Sequence, residues 1–479
     1  VDPGPRTAVA SFRLSLTEGR DAPAGERGYA RLRERAERAI ALVPGMPFRQ
    51  ADWEAAKAAA LRPFAGGAHA AARIAASAAR IDPERRRADL ELVIDPGPVF
   101  RLGELRVTGA NRYPAELARR YSPLRAGAAY RPQDLLDYQT ALESSGYYAR
   151  AAVRIEPDPA LAAAVPVEIE VVEHPTQLAS VGLGASTDTG PRLSGEYRHR
   201  KLDGRGLRLS LDARLEPVRQ QGGVELAWPR SARGYDHAVG LRQRHEDLRG
   251  QTTHAIQLSG RSSRVRGPLE TTFGLMYQSE RQQLGDAIDT RNQALTLNYQ
   301  WTHRELGRTL YPGRGHVLTL AAGGALQSLL SDTTFLRLYA RATRFFSAGE
   351  KGRVVLRGEA GGVLADSRIG IPTDYLFRAG GDNSVRGYAY QSLGRTLDGG
   401  VASVRWLATG SVEYQHFFVR DWGAAVFVDA GDAADSPGAL APVFGVGAGL
   451  RWRSPVGPIN LDLAWGEAAR LHFSLGATF

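Results

Sequence analysis

The chain has 479 residues, of which 43% are hydrophobic, and a net charge of +10. It has no cysteine, which excludes a disulfide framework and a thiolate metal site. No stretch reaches the roughly 18 continuous apolar residues that a membrane helix needs, although membrane β-strands give no such signal, because their lipid-facing and lumen-facing residues alternate. Val1 follows no charged and apolar leader, so we expect any signal peptide to be removed already or to lie outside this numbering.

The basic residues are almost all arginine, and Lys57, Lys201 and Lys351 are the only lysines. The arginines alternate with apolar residues and do not cluster with aromatic residues that could stack on bases. We therefore expect no nucleic-acid partner. A polar barrel interior, or contact with lipid headgroups, accounts for the arginines better.

The first part of the chain contains an internal repeat. The sequence Val-Asp-Pro-Gly-Pro at residues 1–5 returns as Ile-Asp-Pro-Gly-Pro at 94–98, and residues 45–49 match 127–131. We predict two units, 1–95 and 96–174, each folding as strand, helix, helix, strand, strand.

Hydrophobic periodicity places the elements within each unit. In the second unit it predicts strands over 100–108, 151–155 and 167–172, and helices over 113–121 and 132–145. Two apolar stripes predict the helices of the first unit: Leu32, Ala36, Ile40 and Val43 in one, and Trp53, Ala56 and Ala60 in the other.

From residue 175 onward, the helical periods give way to alternating segments of about ten residues. In residues 207–216, for example, five apolar residues alternate with arginine, serine, aspartate and glutamate. About sixteen such segments lie between Leu178 and Phe479, an even number as in bacterial barrels. A soluble sandwich also alternates, but the count favours an antiparallel transmembrane β-barrel of 16 strands over 175–479. The fold class is therefore α+β repeats followed by an all-β barrel.

Aromatic residues toward the ends of the segments are expected to form a girdle. They are Trp228, Tyr277, Trp301, Tyr311, Phe345 and Trp452.

Residues 366–400 interrupt the alternation with a long, glycine-containing loop. Gly380, Gly381 and Gly387 permit tight turns or a close approach to a wall. Among them lies the tetrad Val385, Arg386, Gly387 and Tyr388. Such a tetrad is compatible with an exposed arginine on a surface turn, or with a long functional loop between two strands.

Acidic residues occupy two of the following strands. Glu413 lies on predicted strand 12, and Asp429 lies between apolar neighbours on strand 13. A Ser-Pro-Val-Gly-Pro turn at 454–458 joins the next two strands, and Asp462 follows it. The last segment alternates Phe473, Leu475 and the terminal Phe479 with small or polar residues.

These features resemble a known superfamily. The tandem units are similar to polypeptide-transport-associated (POTRA) domains. The order V-R-G-Y, F-x-D-x-G and S-P-x-G-P after them resembles the outer-membrane assembly factors that include BamA. Four segments are more similar in sequence to TamA-like proteins, the outer-membrane subunits of translocation and assembly modules. These segments are residues 182–191, 379–382, 410–415 and 425–429.

The resemblance implies roles for particular residues. The loop is expected to fold into the barrel and to bring Arg386 to Glu413 and Asp429, as a brace between loop and wall. Guanidinium suits this role because its five donors can serve two carboxylates. Gly182, Gly184 and Gly476 are expected near a seam between the first and last strands that opens laterally. Phe473, Leu475 and Phe479 resemble the C-terminal signal of outer-membrane barrels.

It also implies a function and partners. We expect a protein of the bacterial outer membrane with periplasmic POTRA domains, contacting membrane lipids, unfolded clients such as autotransporters, and a TamB-like protein anchored in the inner membrane. TamA-like proteins carry three POTRA domains and this sequence shows two, so we expect either truncation or loss of one module.

Alternatives are a two-partner secretion translocator and a structural tether between envelope layers. The sequence contains no nucleophile elbow and no phosphate-binding loop, so we expect no catalytic activity, cofactor or metal.

Overall fold

The structure is a computed structural model that describes residues 7–17, 25–285, 288–307, 311–397, 399–455 and 457–475. It divides into two units, Val1–His174 and Pro175–Phe479. Among the described helices, none has both the length and the apolar character needed to cross a membrane.

The first repeat consists of β1 (Ala8–Leu16), α1 (Gly25–Ala39), α2 (Gln50–Ala65), β2 (Arg73–Asp82) and β3 (Arg87–Asp95). Its sheet has the order β1-β3-β2, in which β3 pairs in parallel with β1 and antiparallel with β2. Trp53, Ala56, Ala60 and Phe64 give α2 a buried face over this sheet.

The second repeat has the same topology. Its elements are β4 (Leu102–Thr108), α3 (Ala115–Arg120), α4 (Pro132–Glu143), β5 (Tyr148–Ile155) and β6 (Val165–Glu173). The sheet order is β4-β6-β5, again with one parallel and one antiparallel pair. The sequence repeat is therefore a structural repeat.

One helix of the first repeat is shorter than the sequence predicts. Helix α1 ends at Ala39, so that Val43 lies beyond it and is 52% exposed, whereas Ile40 is buried. Val43 precedes Pro44, and the ring of a proline disfavours the helical conformation of the residue before it. The prediction that the apolar stripe of this helix extends to Val43 was wrong.

Tyr138 joins the two helices of the second repeat. Its ring is fully buried among core residues, and its hydroxyl donates a 2.9 Å hydrogen bond to the carbonyl of Ala118 on α3. Tyr138 thus contributes both to the packing of the core and to the hydrogen bonding of the Ala118 carbonyl.

We expect Tyr138→Phe to leave the Ala118 carbonyl without this donor and to destabilise the second repeat by about 1 kcal/mol. Tyr138→Ala, which also leaves a cavity, is expected to cost about 3–5 kcal/mol. Hydrogen–deuterium exchange of peptides from 100–174 in the intact protein measures both. Leu136→Ala on the exposed face of α4 is the control, and equal exchange in Tyr138→Ala and the control would contradict the assignment.

The second unit is a barrel of sixteen strands, all paired antiparallel with their neighbours in the ladder. The strands are β7 (Gln177–Ser186), β8 (Gly190–His199), β9 (Arg208–Leu215), β10 (Arg219–Ala227), β11 (Asp236–Leu248), β12 (Gln251–Arg266), β13 (Leu269–Leu284), β14 (Ile288–Leu306), β15 (Gly315–Ala325), β16 (Phe335–Ala348), β17 (Gly352–Leu364), β20 (Trp406–Phe417), β21 (Trp422–Ala434), β22 (Val443–Ser454), β23 (Gly457–Trp465) and β24 (Ala469–Leu475).

Alternation along each strand decides which side chains enter the barrel. In β20, for example, Val412 points outward and is 54% exposed, whereas its neighbour Glu413 points inward and is 6% exposed. The outer surface is therefore largely apolar and the lumen largely polar, as the period of two predicts.

The barrel has two different rims because consecutive strands run in opposite directions. The loop rim carries the β7–β8 turn and the longest connection, residues 365–405, which contains the short strands β18 (Arg395–Leu397) and β19 (Gly400–Ala402). The opposite rim, called the turn rim, carries the connections β20–β21 and β22–β23. The long loop extends five residues beyond our predicted end at 400.

The predicted aromatic girdle is only partly reproduced. Trp228 and Trp452 lie toward the turn rim, where Trp452 stacks on Trp422 with a centroid distance of 5.1 Å. Tyr277 lies in the middle of β13, and Tyr311 and Phe345 line a cavity in the lumen. The prediction was wrong for these three, because position along a segment does not give the face or height of a side chain.

The first and last strands meet at a seam. The ladder runs from β24 round to β7, and the described residues form no ladder between these two strands. Two hydrogen bonds join Thr187, in the β7–β8 turn, to Phe473 on β24: the Thr187 N–H donates to the Phe473 carbonyl (3.4 Å), and the Phe473 N–H donates to Thr187 Oγ1 (3.0 Å).

Candidate functional site

The long loop is anchored first on one wall of the lumen. Asp374 accepts hydrogen bonds from Arg244 on β11 and Gln257 on β12, both of 2.5 Å. The N–H and hydroxyl of Thr373 donate to the carboxylate of Glu280 on β13, at 2.9 and 2.8 Å. The start of the loop is therefore fixed to three consecutive strands.

The loop then reaches the opposite wall, where Val385 and Arg386 are 0% and 3% exposed. Gly387 has a φ of +89°, and a Cβ placed there would lie 2.6 Å from the backbone nitrogen of Gly466. Glycine is needed for both reasons, because a side chain would be strained at this φ and would collide with the β23–β24 turn. The tetrad is thus pressed against the wall and is not exposed.

Arg386 donates three hydrogen bonds to Asp429 on β21. Its Nε donates to Oδ2 at 2.7 Å, its Nη2 donates to Oδ1 at 2.9 Å, and its backbone N–H donates to Oδ2 at 3.1 Å. Two parallel guanidinium bonds to one carboxylate fix direction as well as distance. Asp429 is 0% exposed, so this pair is fully enclosed.

The same guanidinium reaches two further strands. Its Nη1 donates to Glu413 Oε2 on β20 at 2.8 Å and to Asp462 Oδ2 on β23 at 3.0 Å. Its central carbon lies 3.3 Å from the centroid of the Phe427 ring on β21. Arg386 therefore contacts three carboxylates and one aromatic face at once.

A second arginine completes the cluster. Arg451 on β22 donates to Glu413 Oε1 through Nε (3.0 Å) and Nη2 (2.8 Å), and to Asp462 Oδ1 through Nη1 (2.5 Å). Arg357 on β17 lies close enough to interact electrostatically with Glu413 and Asp429. Three guanidinium groups thus face three carboxylates. We call Arg357, Arg386, Glu413, Asp429, Arg451 and Asp462 the lumen cluster.

Burial by itself would lower the pKa of the Arg386 guanidinium, but the hydrogen bond to Asp429 and the charges of Glu413, Asp429 and Asp462 hold that pKa above its ordinary value. The loop therefore remains cationic at this position. Removing one member of a buried ionic network leaves the others uncompensated, which is more costly than losing an exposed ion pair.

The structure brings together the predicted Arg386, Glu413 and Asp429, but other predicted residues play different parts. The Tyr388 ring lies against the backbone of Gly466 in the β23–β24 turn. Gly380 and Gly381 have φ values of +105° and +99°, which makes them the turns that lead the loop to the wall.

The predicted seam and terminal residues are only partly described. Gly182 and Gly184 lie on β7 and pair with Ser194 and Arg192 of β8. Phe473 and Leu475 lie on β24. Gly476 and Phe479 lie outside the described residues.

Sequence reasoning missed four residues of the site: Arg357, Arg451 and Asp462 of the lumen cluster, and His472. The sequence showed Asp462 only as following a turn and His472 only as a polar residue of the last strand, and it assigned no role to Arg357 or Arg451. Asp462 and His472 are cross-strand partners on the lumen face. The alternation of β22 to β24 assigned Arg451, Asp462 and His472 to a polar face, which was the available signal, but it did not place them at the height of Arg386.

We expect Arg386→Ala to destabilise the barrel by about 3–5 kcal/mol, because it leaves three buried carboxylates with one fewer counter-charge. Arg386→Lys keeps the charge without the planar fork and should fall between Arg386→Ala and the wild type. Urea unfolding in detergent micelles, followed by tryptophan fluorescence, measures the difference.

The control for this series is Arg281→Ala, which removes an exposed ion pair with Asp289 and is expected to leave the urea midpoint close to that of the wild type. A urea midpoint for Arg386→Ala equal to that of Arg281→Ala would refute the brace.

We expect Gly387→Ala to weaken loop docking by at least about 2 kcal/mol, because a Cβ is strained at positive φ and overlaps the β23–β24 turn. Limited proteolysis of the loop in folded protein reports the docking. Gly260→Ala on β12 adds the same methyl group where no atom lies within 4 Å. Equal cleavage rates in the two variants would show that Gly387 is not required.

Comparison with known proteins agrees with this architecture. A family model described as the Omp85 superfamily domain matches residues 177–479. A POTRA model, described as a surface antigen variable number repeat, matches residues 100–174.

Among curated proteins, outer membrane protein assembly factor BamA of Neisseria meningitidis is 23% identical over 469 residues, covering 83% of this chain and 59% of that protein. The chain thus spans less than two thirds of the length of this relative.

Solved structures give the same fold. The structure of Haemophilus ducreyi BamA lacking POTRA domains 1–3 aligns with a TM-score of 0.71 at 15% identity, covering 98% of this chain and all of that one. CdiB from Escherichia coli aligns with a TM-score of 0.55 at 13% identity, covering 98% and 90% of the two chains. Because the Omp85 model matches residues 177–479, more than half of the chain, the chain belongs to the Omp85 superfamily.

Proposed function

We propose that this protein is a non-enzymatic assembly factor of the bacterial outer membrane that inserts or translocates β-rich envelope proteins through the seam between β7 and β24. The observation that carries this proposal is the contrast between the seam and the rest of the barrel. Two hydrogen bonds join Thr187 and Phe473 at the seam in the described residues, whereas β7 and β8 share a continuous ladder from Gln177 to Ser186.

A weakly bonded seam has a chemical use in a membrane. A strand edge presents N–H and C=O groups, which are costly to leave unpaired in hydrocarbon. An incoming strand that pairs with β7 or β24 satisfies those groups on both partners. Insertion by strand addition therefore needs no catalytic residue, only an edge that opens and a barrel that does not unravel.

The lumen cluster supplies the second requirement. Through Arg386 it connects β20, β21 and β23 to the loop, and the other end of the loop is fixed to β11, β12 and β13. If the seam opened, the strands of the barrel wall that are attached to the loop would then keep their register with their neighbours.

The location and partners are part of the same proposal. We place the barrel in the outer membrane, in contact with its lipids, and the two repeats in the periplasm. The clients are unfolded outer-membrane proteins, including autotransporters, and the similarity of residues 182–191 and 410–415 to TamA-like proteins supports a TamB-like partner. We propose no nucleic-acid partner, cofactor or metal.

We expect a disulfide across the seam to block client assembly, because the edge strands can no longer part. Thr187 and Phe473 are the residues to replace by cysteine, since their backbones are hydrogen-bonded across the seam and the chain contains no other cysteine. The measurement is folding of an unfolded outer-membrane barrel protein into vesicles that contain the oxidised double variant.

The control is the same variant after reduction, so that both samples carry identical substitutions. Equal client folding with and without the disulfide would rule out the seam mechanism. A client that instead crosses the membrane of vesicles containing the locked barrel would favour export through the pore. Loss of the protein from cells without any change in client assembly would favour a tether.

A further inference from the structure

A second polar group lies where the loop meets both sides of the seam. It consists of Asp188 in the β7–β8 turn, Asp382 in the loop and His472 on β24, and we call it the seam triad. Their ligand-type atoms all lie within 4.8 Å of one another. The triad is separate from the lumen cluster, and the insertion mechanism proposed above does not use it.

Hydrogen bonds connect the triad to the loop in two directions. The Asp382 N–H donates to Asp188 Oδ2 at 2.9 Å, which ties the loop to the first hairpin. The Gly387 N–H donates to His472 Nε2 at 3.1 Å, and His472 Nδ1 is hydrogen-bonded to Asp382 Oδ1, which ties the loop to the last strand. The loop therefore bridges the seam on its inner side.

These bonds decide the tautomer of the neutral imidazole. Since Nε2 accepts a hydrogen bond from the Gly387 N–H, a neutral ring carries its proton on Nδ1 and donates a hydrogen bond from there to Asp382. Neither nitrogen then has a free lone pair for a metal ion. The geometry favours a proton network over a metal site, even though two carboxylates and a histidine come close together.

The two carboxylates make the network sensitive to pH. Burial, followed by the negative charge of Asp382, raises the pKa of Asp188 to about 7. When Asp188 is protonated, one proton serves two adjacent carboxyl groups. When it ionises, two like charges face each other beside the seam.

Other charged and titratable groups surround the triad. Tyr390 of the loop interacts electrostatically with Asp188. A cavity of about 310 Å³ at the triad is also lined by Arg249, Tyr388 and Arg470. Asp462 faces His472 from β23, but it is already engaged by Arg386 and Arg451. The cavity gives the triad access to protons, and the arginines on its lining do not hydrogen-bond Asp188 or Asp382 in the described structure.

We propose that the seam triad is a proton-operated latch: it holds β7 and β24 together through the loop while Asp188 is protonated, and it releases them when Asp188 ionises. This inference concerns the seam used in the proposed function, but its test needs no client. Failure of the latch would therefore leave the client-insertion experiment unaffected, and the reverse also holds.

The direction follows from linkage. The closed latch binds a proton on Asp188 more tightly than an open, solvated latch does, so that opening releases a proton. Opening is therefore favoured as pH rises from the ordinary aspartate pKa of 3.8 to the raised pKa of about 7. Within that window the ratio of open to closed seams should change by up to about tenfold per pH unit.

The test places spin labels on either side of the seam in purified protein reconstituted into phospholipid vesicles. Leu183 on β7 and Leu471 on β24 are 83% and 57% exposed, point outward, and are replaced by labelled cysteines. Pulsed distance measurements at pH 5, 6 and 7 give the open fraction. We expect the open-to-closed ratio to rise at least about tenfold from pH 5 to pH 7.

Two variants separate the latch from a general effect of pH. Asp188→Asn keeps an acceptor for the Asp382 N–H and cannot ionise, so its seam should stay closed at every pH. Asp203→Asn changes an aspartate in the β8–β9 turn, where it accepts N–H bonds from Arg205 and Leu207, and should respond as the wild type does.

A third variant covers the case in which Asp188→Asn does not fold. His472→Ala removes both bonds between the imidazole and the loop and should raise the open fraction at pH 5 to at least the wild-type level at pH 7. A wild-type seam with the same open fraction at pH 5 and pH 7 would overturn the latch. So would an Asp188→Asn variant that keeps the wild-type response, or a response that disappears on adding a metal chelator.

Discussion

The barrel depends on one buried guanidinium. Arg386 is held by carboxylates on β20, β21 and β23. Without it, Asp429 would lose its hydrogen-bonded counter-charge, and Glu413 and Asp462 would keep only Arg451. Because side chains alternate along a strand, a slip of one residue in any of these strands would turn its carboxylate away from the lumen. The cluster therefore fixes strand register as well as loop position. Replacing the single side chain of Arg386 would weaken both.

That constraint divides the barrel into parts of different strength. The loop crosses the lumen from β11, β12 and β13 to the strands that carry the lumen cluster, so that it braces two distant stretches of wall. At the seam, by contrast, the described residues of β7 and β24 share no ladder. The proposed insertion mechanism uses this difference, because an incoming strand could pair with backbone groups of β7 or β24 at the seam.

The loop tip connects the two regions over a few residues. Arg386 belongs to the lumen cluster, while Asp382 and the N–H of Gly387 belong to the ties across the seam. A movement of the loop that loosened one set of contacts would strain the other, since Gly387 is packed against the β23–β24 turn and has little freedom. The same short stretch of the loop therefore contacts both the lumen cluster and the seam triad.

The sequence by itself determined the repeat, the number of barrel strands and the face of most side chains, all of which follow from local periodicity. The pairing of Arg386 with Glu413 and Asp429 was expected only from the resemblance to a known superfamily. Only the tertiary structure decided that Asp462, Arg451 and His472 join the site, that Phe345 faces the lumen, and that α1 stops before Val43. A period of two tells which side of the wall a residue faces, but its height depends on the stagger of sixteen strands and on the path of the loop, which are set by contacts between residues far apart in the chain.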